Sequence, residues 1–168
     1  MVFYPDFYCN SVRDVQIDFL RKNNIQGIIL DVDNTIIDYY RKFEEGTIEW
    51  VNELKEAGIK FCIVSNTNKI KKVKYVAQTL DVPFFYFAKK PLKTGFLKAK
   101  EKLGFNAENI AAIGDQIMTD VIGANRCKMF SILVKPIAEK DIFITKIKRP
   151  IENKIIENYL KKVEKEKV

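Results

Sequence analysis

Five short apolar runs, at 27–32, 60–65, 83–87, 109–114 and 129–134, are separated by segments whose apolar residues recur at helical spacing. Each run is nearly continuous and rich in Ile, Val and Phe, the pattern of a strand covered on both faces. Parallel neighbours need a crossover, and a helix between successive strands supplies it. The alternation therefore predicts a three-layer, Rossmann-like α/β fold: an open, doubly wound parallel sheet with right-handed crossovers. The crossover helices are read from four stripes. Ile48, Val51 and Leu54 form one that stops at Gly58, and Ile70, Val73, Val76, Ala77 and Leu80 form a cleaner second. Phe96, Leu97 and Leu103 make a third, closed by Gly104, and a short fourth starts at Thr119 or Asp120 and ends near Asn125.

Two more helices are expected outside this core. Ser11 is placed to cap one carrying Val12, Val15, Phe19 and Leu20, with Asp14 at its favourable third position. After Pro150, the residues Ile151, Ile155, Ile156, Tyr159, Leu160 and Val163 form the apolar face of a terminal helix. No repeat or low-complexity linker interrupts the 168 residues, so the reading is a single domain 1–168. Within it, 1–26 is an N-terminal helical segment, 27–135 the core and 151–168 a C-terminal amphipathic helix.

Composition sets limits on function. With 47% hydrophobic and 30% charged residues the chain reads as an ordinary soluble globular protein, and no apolar run approaches membrane-spanning length. The opening MVFYPDFYCN lacks a signal-peptide layout, so a cytoplasmic location is the expectation. Cys9, Cys62 and Cys127 show no metal-site spacing, and Cys62 reads as a reduced buried thiol. Histidine is absent, which removes Ser-His triads and His-ligated zinc and leaves proton transfer to carboxylates, lysines or tyrosines. The net charge of +7 favours anionic partners, although a solvated lysine-rich surface explains it equally well.

In open parallel sheets ligands bind outside the carboxyl ends of the strands. Asp31 and Asp33 follow the apolar run Gly27-Ile28-Ile29-Leu30, so two like charges sit at the mouth of a buried strand. A capped turn at Asp33-Asn34-Thr35 is the plain alternative to a cation site. Later strand ends weigh against it: Ser65-Asn66 ends the second, Lys89-Lys90-Pro91 follows the third, and Gly114-Asp115 ends the fourth, with Asp120 five residues on.

DVDNT, SN, KP and GDQIMTD, in this order, resemble the four motifs of the haloacid dehalogenase superfamily of phosphatases. Within it, subfamily IIIA and the small YqeG-type phosphatases are the nearest pattern, a resemblance that runs from YPD and SVRDV through the last strand. It implies that Asp31 is a nucleophile that becomes an aspartyl-phosphate, and that Asp33 protonates the leaving alkoxide and then activates water. It implies Mg²⁺ held by Asp31, the Asp33 carbonyl and Asp115, with Asp120 ordering the metal's waters or holding the lysine. Ser65 and the Asn66 amide are the expected phosphate donors. Lys90 is preferred to Lys89 as the motif lysine because it directly precedes proline.

Superfamily members that select small metabolites usually carry a cap domain. Only eleven residues separate Thr35 from Thr47, and Ser65 to Lys90 leaves room for one helix and one strand, so no cap is expected. Tyr39, Tyr40, Arg41 and Phe43 occupy the short flap instead, within reach of a leaving group. Lys69, Lys71 and Lys72 open the next helix, where cations are disfavoured unless they gather an anion.

An open site suits a large or membrane-borne phosphomonoester. The resemblance extends to relatives of phosphatidylglycerophosphate phosphatase and makes that lipid the specific expectation. The aromatic start (Phe3, Tyr4, Phe7, Tyr8) and the amphipathic tail are compatible with peripheral contact at an anionic inner membrane surface. The alternatives are a phosphatase of soluble nucleotides, sugar phosphates or nucleic-acid ends, and a non-catalytic binding protein of the same fold. Nucleic acid is not the expected partner, and the sequence is silent on oligomeric state.

Overall fold

The computed structural model describes residues 2–138 and 143–165, with the backbone alone for 143–149. Six strands form one sheet: β1 (Phe7–Cys9), β2 (Gly27–Leu30), β3 (Lys60–Val64), β4 (Phe84–Phe85), β5 (Ile110–Gly114) and β6 (Phe130–Val134). Their spatial order is β1-β6-β5-β2-β3-β4, and every pair is parallel. The chain leaves β2 outward to β3 and β4, then crosses back to β5 on the other side of β2. The crevice between the carboxyl ends of β2 and β5 is thus the topological switch point.

Side chains alternate across the sheet, and each face has its own core. Ile28, Leu30, Phe61, Ile63, Ala111 and Ile113 point to the face covered by α2 (Thr47–Glu56) and α3 (Ile70–Leu80), which contribute Trp50, Val51, Leu54, Val73, Val76 and Leu80. Ile29, Cys62, Val64, Ile110 and Ala112 point to the other, covered by Phe96, Ala99 and Leu103 of α4 (Lys93–Leu103). Leaving either face in water would forfeit about 1.5–3 kcal/mol for each large apolar side chain, which is why continuous apolar strands demand three layers. The expected doubly wound, uncapped α/β architecture is what the chain adopts.

Several local expectations are corrected. The first 26 residues are not wholly helical, because Phe7–Cys9 pairs with β6 as an edge strand. Asp6 locks this pairing: its carboxylate accepts from the Ser131 N–H (2.8 Å) and hydroxyl (3.0 Å), and its own N–H donates to the Ser131 carbonyl. Phe7 packs on Phe19, and Phe19 on Phe130, so part of the aromatic start serves the core, while Phe3 stays exposed. A three-residue strand carries too little pattern to be seen beforehand. Ser11 does form a reciprocal capping box with Asp14, but around a single 3₁₀ turn, Val12–Asp14. The helix, α1 (Ile17–Lys22), starts afresh beyond it. The predicted strand 83–87 shrinks to Phe84–Phe85, and Leu97 turns to solvent although it was placed on the buried stripe.

The short fourth helix is split into a wide π turn, Ile117–Val121, and α5 (Ile122–Arg126). The terminal helix, α6 (Phe143–Lys165), begins before Pro150 and carries it inside; the predicted residues 166–168 lie outside the described ones. Its buried face is also rotated. Ile155 and Ile156 pack on Ile117, Val121 and Leu133, and Tyr159 meets Tyr4, but Ile151 and Leu160 are exposed and Glu152 is buried in their stead.

All three cysteines are free thiols. Burial pushes Cys62 up to about 12, and Cys9 to about 12 with help from the nearby charge of Asp14. At about pH 8 only about one thiol in 10⁴ would then be ionised, so iodoacetamide should leave Cys9 and Cys62 unmodified in the native protein. Intact mass after urea unfolding should show all three alkylated. Rapid native alkylation of Cys62 would contradict its place in the core.

Candidate active site

Asp31 is the first residue past β2, and its N–H still donates to the Ile113 carbonyl of β5 (3.0 Å), so the sheet ladder extends to it. The chain then turns back sharply. The Val32 carbonyl accepts from the N–H groups of Thr35, Ile36 and Ile37, and Asn34 adopts a left-handed φ of 59°. This turn returns the Thr35 hydroxyl to Asp31, where it donates to Oδ2 (3.2 Å) and lies 3.5 Å from Asp115 Oδ1. Asp115 follows β5, the neighbour of β2, which brings the two carboxylates side by side.

Asp120 arrives through the π turn. A Cβ on Gly114 would overlap the Asp120 carboxyl group, so glycine is needed there for the side chain to tuck beneath the strand end. Its Oδ2 accepts from the Gln116 N–H (3.2 Å) and the Thr119 hydroxyl (3.2 Å). Its Oδ1 faces Lys90.

Lys90 is 7% exposed, and its Nζ donates to Asp31 Oδ1 and Asp120 Oδ1, each at 2.6 Å. Burial by itself would lower the lysine's pKa, but the carboxylates of Asp120 and Asp31 more than reverse that, so the ammonium is held above its usual range. Burial raises Asp120 to about 6, against the pull of Lys90 and with a further push from Asp31. Asn66 holds the lysine from behind: its side chain accepts from the Lys90 N–H (2.6 Å) and donates to the Lys90 carbonyl (3.1 Å). Lys89, by contrast, is exposed and lies over the Phe87 ring.

Six of the residues named from sequence meet here: Asp31, Ser65, Asn66, Lys90, Asp115 and Asp120. Ser65 is buried at the end of β3, with its hydroxyl accepting from the Thr67 N–H (3.2 Å). Asp33 stands at the rim, half exposed, where its Oδ1 is ion-paired to Lys72 of α3. Two residues that touch the site were not among the expected site residues. Thr35 was signalled only by its place in the motif, and Lys72 only as one of three lysines at a helix start suited to gathering an anion.

Oxygen ligand atoms of Asp31, Asp115 and Asp120 lie within 4.8 Å of one another, all three residues being buried. An all-oxygen donor set suits a hard divalent ion such as Mg²⁺. Asp120 accepts from Lys90, Gln116 and Thr119, and Asp31 from Lys90 and Thr35.

The flap between Thr35 and Thr47 is a small hairpin, in which Ile37 bridges Phe43. Phe43 packs inward toward Tyr75, whereas Tyr39 and Tyr40 are 70% and 75% exposed. Tyr86, Phe87, Leu92 and Ile70 are other exposed apolar residues on loops and helix starts at this end of the sheet.

A family model for hydrolases, haloacid dehalogenase-like hydrolase, matches residues 41–128. The chain is 39% identical over 155 residues, 92% of its length and 90% of the relative's, to a Bacillus subtilis protein described as "Probable phosphatase YqeG". It is similar in structure to the cobalt-bound deoxy-D-mannose-octulosonate 8-phosphate phosphatase of Haemophilus influenzae (TM-score 0.56, 18% identity, 82% of this chain and 90% of that one). An uncharacterized protein from Listeria monocytogenes is comparable (TM-score 0.57, 20% identity, 70% of this chain and 85% of that one). At such identities the structural likeness concerns the fold.

Proposed function

This chain belongs to the haloacid dehalogenase-like hydrolases and is a phosphatase, and from that premise we propose that it works through an aspartyl-phosphate on Asp31. The observation that carries this reading is the Lys90 ammonium bonded to both Asp31 and Asp120, with Asp115 alongside, at the switch point of the sheet. A phosphoryl group entering there meets a carboxylate oxygen in line and a buried cation beside it. Catalysis of phosphoryl transfer is mostly such positioning and charge neutralisation.

Each residue has a task in this scheme. Asp31 attacks phosphorus, and the P–O bond to the leaving group breaks as the new P–O bond forms. Lys90 offsets charge on the transferring group, and Ser65 with the Asn66 backbone N–H binds its oxygens, the Asn66 side chain being engaged with Lys90. Asp33, released from Lys72 and protonated from solvent, gives that proton to the leaving oxygen, then takes one from the water that attacks phosphorus as the bond to Asp31 breaks. Asp31, the Asp33 carbonyl and Asp115 would hold Mg²⁺, while Asp120 keeps Lys90 in place. The bound ion supplies further neutralisation of the phosphoryl oxygens.

The substrate we assign is a phosphomonoester lipid, with phosphatidylglycerophosphate the specific candidate. The uncapped site, the exposed aromatic and aliphatic side chains at its end of the sheet, and the nearby Lys69 and Lys71 support it. No helix among the described residues is long and apolar enough to cross a membrane, so contact would be peripheral.

Mg²⁺-dependent hydrolysis of p-nitrophenyl phosphate tests the phosphatase chemistry, and its absence on every phosphomonoester tried would overturn it. Liposomes carrying phosphatidylglycerophosphate, compared with a panel of soluble nucleotides and sugar phosphates, test the lipid. The expected preference is about tenfold or more in kcat/KM. A clear preference for the panel would end the lipid assignment and leave the mechanism standing.

A further inference from the structure

Glu152 lies on α6, outside the sheet and its crossover helices, yet it is only 2% exposed. A carboxylate does not stay in such a place without partners, because desolvating it unpaired is costly. Its Oε1 accepts from the Met118 N–H at 3.0 Å. Met118 is the second residue of the π turn Ile117–Val121, and Gln116, which precedes the turn, makes no capping bond with its side chain. The first N–H groups of any helical segment lack partners within it. Asp120 itself takes the Gln116 N–H, and Glu152 supplies from another element the acceptor for the Met118 N–H that the Gln116 side chain does not cap.

The same turn carries Asp120. From Met118 it is two residues to the carboxylate whose Oδ1 receives the Lys90 ammonium at 2.6 Å. That carboxylate sits directly under Gly114, with no room for a Cβ between them, so little displacement is tolerated. Ile155 and Ile156, one turn further along α6, pack on Ile117 and Val121, the two ends of the turn. The helix thus holds the turn by apolar packing at both ends and by a charge-assisted hydrogen bond at its start.

We propose that Glu152 is a positioning residue: through Met118 it sets the placement of Asp120 and hence of Lys90 against Asp31. The proposal rests on the phosphatase reading above. It also makes the C-terminal helix part of the active-site framework. Misplacement of a catalytic group by about 1 Å can cost about a hundredfold in rate, so losing one hydrogen bond of this kind should matter in kcat.

The test compares Glu152→Ala, Glu152→Gln and Glu152→Asp with wild type, well below each protein's melting temperature. With Mg²⁺ and p-nitrophenyl phosphate, Glu152→Ala should lose about tenfold in kcat with KM little changed. Glu152→Gln, which still offers an acceptor oxygen, should keep most of kcat, whereas Glu152→Asp, whose shorter side chain withdraws it, should not. In ¹H–¹⁵N spectra the Met118 amide should move upfield in the alanine and aspartate variants and stay near its wild-type position in the glutamine variant. A folded Glu152→Ala protein with wild-type kcat would overturn the proposal, as would a glutamine variant as impaired as the aspartate one. If Glu152→Ala does not fold, the glutamine–aspartate pair decides. If wild type hydrolyses no phosphomonoester, the functional reading falls, and the Met118 resonance still decides whether Glu152 holds the turn.

Discussion

Asparagine at position 31 is expected to lower turnover by about 10⁴-fold, the order found when a covalent nucleophile is removed, while leaving the metal-free protein about as stable as wild type. The two halves of this expectation have different causes. The amide oxygen can still accept from Lys90, but an amide does not attack phosphorus under these conditions. Stability follows from charge balance. At an effective dielectric of about 20, Asp31 gains about 6 kcal/mol from Lys90 at 2.6 Å. It loses about 3.5 kcal/mol to each of Asp115 and Asp120, whose ligand oxygens lie within 4.8 Å. The attraction and the two repulsions nearly cancel, so neutralising Asp31 changes little. Steady-state assays together with thermal melts in chelator check both halves. Turnover retained by folded Asp31→Asn would remove Asp31 from the nucleophile's role, and an unfolded variant would show that the cancellation is wrong.

Alanine at position 90 should behave in the opposite way, harming stability as well as rate. Lys90 is the cation bonded to both Asp31 and Asp120, and without it two buried carboxylates face each other. Breaking a buried ion pair from one side typically costs about 3–5 kcal/mol. Lost stabilisation of the transferring phosphoryl group should lower kcat by about 10³-fold. Mg²⁺ should restore part of the lost stability, because a divalent ion held as proposed by Asp31 and Asp115 would offset negative charge in the same buried cluster. The check is a pair of denaturation curves with and without Mg²⁺. If Lys90→Ala were as stable as wild type in chelator, the ammonium would not be neutralising the cluster. Lys89→Ala serves as the control, since that side chain lies outside the site.

Much of the site was legible because strand ends converge. Asp31, Ser65 and Asp115 each follow an apolar run, and a parallel sheet brings the carboxyl ends of its strands to one edge. Lys90 was separable from Lys89 by its proline alone, and the structure places Lys90 beside Asp31 while Lys89 faces solvent. Residues whose part depends on a contact between distant elements were less legible. Lys72 was noticed as an odd cation at a helix start, but its pairing with Asp33 depends on how α3 lies against the flap. The Asn66 amide was expected on the phosphate, but nothing in the sequence marked its side chain as the clasp on the Lys90 backbone. At the periphery the misreadings have separate causes: β1 is three residues long, and the buried face of α6 depends on a contact with the π turn.

Those two aspartates at the mouth of a buried strand, with polar groups after each later strand, were determined by the sequence itself. Continuous apolar runs and period-3.6 stripes are local, and they dictate which residues must be covered and therefore where strands must end. What covers α6, and which of its residues turns inward, was decided only when the chain packed. Ile151 and Leu160 lost to Glu152 because the π turn offered an N–H with no local cap, next to an apolar cluster one helical turn away. Neither that donor nor that cluster exists until β5, β6 and the turn between them are assembled, and no pattern within residues 143–165 can anticipate them.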